Sequence, residues 1–195
     1  GFLKSNNFLN EAESTVVDLV GEFLLEVEHG AYTKSFKLIT LQAILSLDGF
    51  AVPTTTSGIA QRSKELIFND PRLLNDLADA SSQFINVWEP EPAEWFAYWN
   101  KNPFAAWLHG GGNGSDPWFE IVEEVFRFKT AVPENQMSTF ESMLAEIVDY
   151  RLHRFLMSSK KSLNDEIFRP ITDDGRVIDS EFIVRSIIDR PVAVH

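Results

Sequence analysis

Metal-assisted hydrolysis needs carboxylates that converge on one ion, usually with a lysine beside them. Glu120, Glu124 and Lys129 come nearest to such a set. The run Phe119-Glu120-Ile121-Val122 lacks the Asp-then-Glu-x-Lys spacing of strand-borne nucleases. A metal-dependent nuclease is therefore only the third reading of this chain. The four histidines, His29, His109, His153 and His195, form no pair at metal-binding spacing. Cysteine is absent, which removes disulfides, thiolate zinc sites and a thiol nucleophile. Asp173-Asp174-Gly175 lacks the alternating oxygens and late Glu of a calcium loop, and reads as a hairpin turn. Gly110–Gly114 has no lysine and no following helix, so it reads as a surface loop and not as a phosphate cradle. No serine lies in a nucleophile elbow, and Ser158-x-x-Lys161 falls at a helix end. We expect no catalytic residue, no metal site and no cofactor.

Binding chemistry is better represented. Lys34, Lys37, Arg62 and Lys64 form one basic group, and Arg151 and Arg154 form another near Lys160 and Lys161. Ammonium and guanidinium groups are what a phosphate backbone requires, so these six residues are the candidate nucleic-acid contacts. Solvated helix faces are the competing account of the same residues. Trp88, Trp95, Trp99 and Trp107 are the candidate lining of a partner groove. Lys101 is the one base among them, while Glu89, Glu91 and Glu94 surround them. That balance argues against a base-stacking platform and makes core packing the main rival to a groove.

The charge balance limits any nucleic-acid role. The 195 residues carry 17 Lys+Arg against 29 Asp+Glu, a net charge of −12. A protein that coats DNA needs the opposite sign, so any DNA contact is expected to be local. The apolar share of 44% suits a folded domain. No apolar run approaches the roughly 18 residues of a membrane helix. The opening around Gly1 is polar, carries no signal-peptide pattern and reads as the start of a fragment. A cytoplasmic location and no membrane contact are expected.

Hydrophobic spacing supplies the elements that would position these groups. Periods of three and four predict helices over 7–29, 34–48, 58–69, 71–79 and 92–101, with a helical turn over 103–108. The second is apolar nearly all round and is expected to be the central buried helix. The third and fourth have a spacing like that of a helix-turn-helix. After Asp116-Pro117 the period changes, and residues 118–122 and 125–129 read as a hairpin turning at Glu123-Glu124. Pro133 begins a helix over 134–158, followed by a polar linker and a β-like tail over 165–195. The expected fold is mainly α (α+β). Residues 1–160 form a helical domain with an inserted hairpin, and residues 161–195 form a β-rich extension.

Three stretches carry a family likeness. They are Tyr32-Thr33-Lys34-Ser35-Phe36-Lys37-Leu38-Ile39-Thr40-Leu41-Gln42-Ala43-Ile44-Leu45, then Asn102-Pro103-Phe104-Ala105-Ala106-Trp107, then Glu146-Ile147-Val148-Asp149-Tyr150-Arg151-Leu152. Together they resemble accessory regions of bacterial superfamily 2 (DEAD/DEAH-type) helicases and of restriction or phage-defence proteins. The likeness spans about residues 31–157. Neither a Walker A run nor an Asp-Glu-x-Asp/His box is present, so a motor would lie outside this chain. The resemblance implies a non-catalytic accessory domain that positions DNA or a partner. A protein–protein interaction module without nucleic-acid binding is the alternative.

Overall fold

The computed structural model of the chain describes residues 9–78, 83–109 and 116–167. It is mainly helical, with one small antiparallel sheet. Two compact units divide the chain, Gly1–Arg154 and Phe155–His195. The expected tail strands lie outside the described residues, as does the Gly110–Gly114 loop.

The first helix, α1 (Glu11–His29), starts at a reciprocal cap. Asn10 accepts from the Glu13 amide at 2.9 Å, and Glu13 accepts from the Asn10 amide at 2.8 Å. Its buried stripe is Val16, Val20, Phe23, Leu24 and Val27, as the spacing predicts. The helix kinks at Val20, just before Gly21. It ends at Gly30, where an added Cβ would sit 2.7 Å from the Glu26 carbonyl oxygen. No side chain larger than hydrogen fits that approach without a shift in the backbone.

Helix α2 (Phe36–Ser46) is the central helix that its composition predicts. Phe36, Leu38, Ile39, Thr40, Leu41, Ala43 and Ile44 are all buried. Thr40 satisfies its hydroxyl by donating to the Phe36 carbonyl at 2.8 Å. The strand β1 (Thr54–Thr55) leads into α3 (Thr56–Asn69), whose first turn is capped by the Thr55 hydroxyl. One turn, α4 (Asn75–Ala78), follows. Then comes the aromatic helix α5 (Pro92–Trp99).

Pro103 explains the next element. Proline has no N–H to return to the preceding turn. The chain therefore widens into a π turn, Asn100–Phe104, before closing again as α6 (Ala105–Leu108). The expected hairpin forms as β2 (Phe119–Val122) and β3 (Val125–Phe128). Glu123 and Glu124 turn it with φ of 53° and 65°, the left-handed pair that a two-residue hairpin requires.

The sheet order is β1-β3-β2, antiparallel throughout. Phe119 faces Phe128, Ile121 faces Phe126, and Thr54 pairs with Phe126 on the other side. The third strand is only Thr54–Thr55. Two residues are too few for an alternating pattern, so only pairing with Phe126 and Val125 makes them a strand.

The last helix, α7 (Glu134–Ile167), runs through the polar stretch 158–162 that reads as a linker. Lysine and serine do not break a helix as glycine or proline does, so polarity alone did not mark its end. Within the first unit, α7 buries Phe140, Leu144, Val148 and Leu152 at helical spacing.

These elements meet at Phe23. Its ring centroid lies 4.8 Å from Phe128, 5.5 Å from Trp118, 5.8 Å from Phe119, 6.2 Å from Trp107 and 6.3 Å from Phe140. One side chain thus joins α1, α6, both long strands and α7. Truncating a fully buried phenylalanine removes its transfer energy and leaves a cavity. Phe23→Ala should lose about 3–5 kcal/mol in urea unfolding. A loss below roughly 1 kcal/mol would show that the cluster does not hold the helices to the sheet.

Candidate functional site

Helix α2 begins at Ser35, but the Ser35 hydroxyl makes no cap bond. The Ser35 amide donates instead to Asp76 Oδ2 at 2.7 Å. The residues around this helix start face the π turn that Pro103 creates. Between them lies a cleft of about 490 Å³, with Lys34 and Lys37 on one wall and Lys101 and His109 on the other. Tyr32, Tyr98 and Asn102 also line it. Asn102 Nδ2 donates to the Tyr98 carbonyl at 3.1 Å, which ties the π turn to α5.

Lys37 is held from two sides. The Trp107 indole N–H donates to the Lys37 carbonyl at 3.2 Å. Its own ammonium sits 3.9 Å from the Trp107 ring centroid, a cation–π contact. Burial pushes the Lys37 ammonium below the usual lysine range, and the nearby charge of Glu26 partly restores it. Glu26 is itself fixed by Trp118, whose indole N–H donates to Oε2 at 2.7 Å. The cleft therefore carries a half-buried cation held against an indole ring.

The six candidate nucleic-acid contacts fall into three situations. Lys34 and Lys37 line the cleft. Arg62 donates to Ser46 Oγ and to Glu65 Oε2, each at 2.9 Å. Lys64 donates to the Pro90 carbonyl at 2.6 Å. Arg151 donates to the carbonyls of Glu28 and Gly30, closing the C-terminus of α1, and lies over the Tyr32 ring. Arg154 is exposed beside Tyr150, with the guanidinium 5.7 Å from that ring.

The candidate groove does not assemble. Trp95, Trp99 and Trp107 are 1%, 0% and 2% exposed, and Trp88 alone of the four is open, at 58%. Trp95 donates to the Ala60 carbonyl at 2.7 Å and stacks on Trp99, with centroids 5.1 Å apart. Indoles at helical spacing on a short helix are buried here because α5 packs on α3. The nuclease set lies on and beside the hairpin. Glu120 lies 3.7 Å from Arg127 across the strands, and Glu124 sits in the hairpin turn. Among the described residues, no three histidine or carboxylate side chains are grouped as metal ligands.

Lys101, His109, Tyr32, Tyr98 and Asn102 were not assigned together from the sequence. More than sixty positions separate the two walls, so no local spacing could join them. The one available signal was Pro103 inside a helical run, which marks a widened turn and so a concavity. No protein-family model, curated protein or solved structure matches the chain.

Two measurements check this geometry. Lys37 gains a cation–π contact but loses solvation, so Lys37→Met should change stability at neutral pH by no more than about 1 kcal/mol. A larger loss in chemical denaturation would show that the lysine holds the fold.

Burial pushes the Tyr32 hydroxyl up to about 12; Arg151 opposes that shift and Glu26 adds to it. The folded chain thus keeps a proton that the unfolded chain releases near 10.0. The stabilisation is complete below that pH and is lost as pH climbs toward about 12. Stability should fall more steeply over this window in the parent than in Tyr32→Phe. Equal slopes would disprove the burial of this hydroxyl.

Proposed function

We propose that this chain is a non-catalytic accessory domain of a DNA-processing or phage-defence protein of helicase type. In this reading it makes one local contact with a DNA backbone. The observation that carries the reading is the meeting of Lys34, Lys37 and Lys101 in one cleft of a chain with net charge −12. Lysine ammonium groups supply hydrogen-bond donors and no acceptor, which suits phosphate oxygens. Arg62, Lys64 and Arg151 make contacts within the domain and lie outside the lining of the cleft. The helicase-type context rests on the sequence resemblance, and cytoplasmic location follows from that context.

A protein-binding module is the second reading. Ile85 at 92% and Trp88 at 58% exposure on one loop favour it, because large apolar groups on a tip are common partner anchors.

Binding to short single strands and duplexes, followed across salt concentration, separates the two. Three phosphate contacts on a single strand predict a log–log slope near −2, a fall of roughly 15-fold between about 50 and 200 mM salt. Replacing Lys34 and Lys37 together with methionine should weaken binding at least about tenfold. Absence of any binding at about 50 mM salt would overturn the DNA reading, since phosphate attraction is strongest there.

A further inference from the structure

We propose that the Lys34–Lys37–Lys101 cleft takes a phosphate monoester, the terminal phosphate of a nucleic-acid strand, in preference to the phosphodiesters within it. This rests on the reading above and adds the chemical class of the group that enters the cleft.

The first argument is geometric. A duplex or long strand lies along a surface and needs cations spaced along its path. Here the cations converge on one concavity of about 490 Å³, a volume within the range of small-ligand sites. Arg62 and Lys64 are not part of its lining. A concavity favours a group that protrudes, and a strand end protrudes whereas an internal phosphate is flanked on both sides.

The second argument is electrostatic. A monoester carries about −1.5 to −2 charges at neutral pH and three terminal oxygens, against one charge and two free oxygens for a diester. Attraction to a fixed group of lysines grows with that local charge. Repulsion by the acidic remainder of the domain grows instead with the number of phosphates brought near. The ligand that gains most and loses least is therefore short and doubly charged at one point. The Glu26 carboxylate acts on Lys37 and the Asp76 carboxylate on Tyr98. Both disfavour an anion, and the three lysines of the lining oppose them.

A third observation concerns the start of α2. Its first turn holds no acidic residue, and the Ser35 side chain does not cap it. The Ser35 amide donates instead to Asp76 Oδ2 at 2.7 Å, so a carboxylate already sits at this helix start and the attraction for an anion comes from the lysines.

Fluorescence anisotropy of the 195-residue chain tests the proposal. The probes are one short single strand ending in either phosphate or hydroxyl, at each end in turn, with the dye at the opposite end. Inorganic phosphate and adenosine monophosphate serve as competitors. The phosphorylated strand should bind about tenfold tighter or more, from the added charge-assisted hydrogen bonds. Lys101→Met and Lys37→Met should each abolish that preference while leaving the thermal unfolding transition in place.

Equal binding of both strands, weakened alike by Lys37→Met, would overturn the monoester assignment and leave the backbone reading standing. No binding of either strand would overturn both. Competition by adenosine monophosphate at the affinity of the phosphorylated strand would uphold the monoester and identify a free nucleotide as its source. Competition only by the phosphorylated strand would identify the strand end.

Discussion

The ring of Phe23 is the constraint on which the rest of this structure depends. Five other aromatic rings reach it, from the short helix after the π turn, the hairpin and its approach, and the long helix. Aromatic pairs add about 0.5–1.5 kcal/mol each beyond the area they bury. They also prefer tilted and edge-on arrangements, which fix angles as well as distances. A sheet of three short strands would be marginal alone. Packed on this ring, and on Phe50 beside it, the sheet becomes a wall of the core.

Tryptophans turn that packing into placement. Each of three indole N–H groups reaches a different helix: Trp118 to Glu26 on the first, Trp107 to Lys37 on the second, Trp95 to Ala60 on the third. A buried indole that left its donor unpaired would cost about 1–3 kcal/mol, so each bond selects one position of the helix it meets. Trp107 has a second effect. It holds the Lys37 backbone by hydrogen bond and the Lys37 ammonium by its ring face, so the cleft cation is set by the core and not by the surface. Pro103 supplies the opposing wall by widening one turn. The cleft is thus a by-product of two core constraints that meet at α2.

Much of this architecture was legible in the residues. The stripe from Val16 to Val27, the apolar run from Phe36 to Ile44, and the change of period after Pro117 each named an element correctly. Local signals suffice where the buried face repeats within one element. They failed for Thr54–Thr55, whose strand character comes from a partner seventy residues away, and for the polar stretch 158–162, where nothing forbids a helix. Composition also could not say which tryptophans are open, because the same spacing serves a core and a groove.

By itself, then, the sequence determined the class of fold, the position of its central helix and its hairpin. Only the tertiary structure decided which cations share a cleft. Arg151 satisfies carbonyls at the end of α1 and Lys64 the Pro90 carbonyl, whereas Lys37 and Lys101 line one cleft. The physical reason is range. Secondary structure follows from periods of two to four residues, which a sequence displays directly. A site follows from which distant side chains lose their freedom to internal partners, and that is known only when the helices have docked.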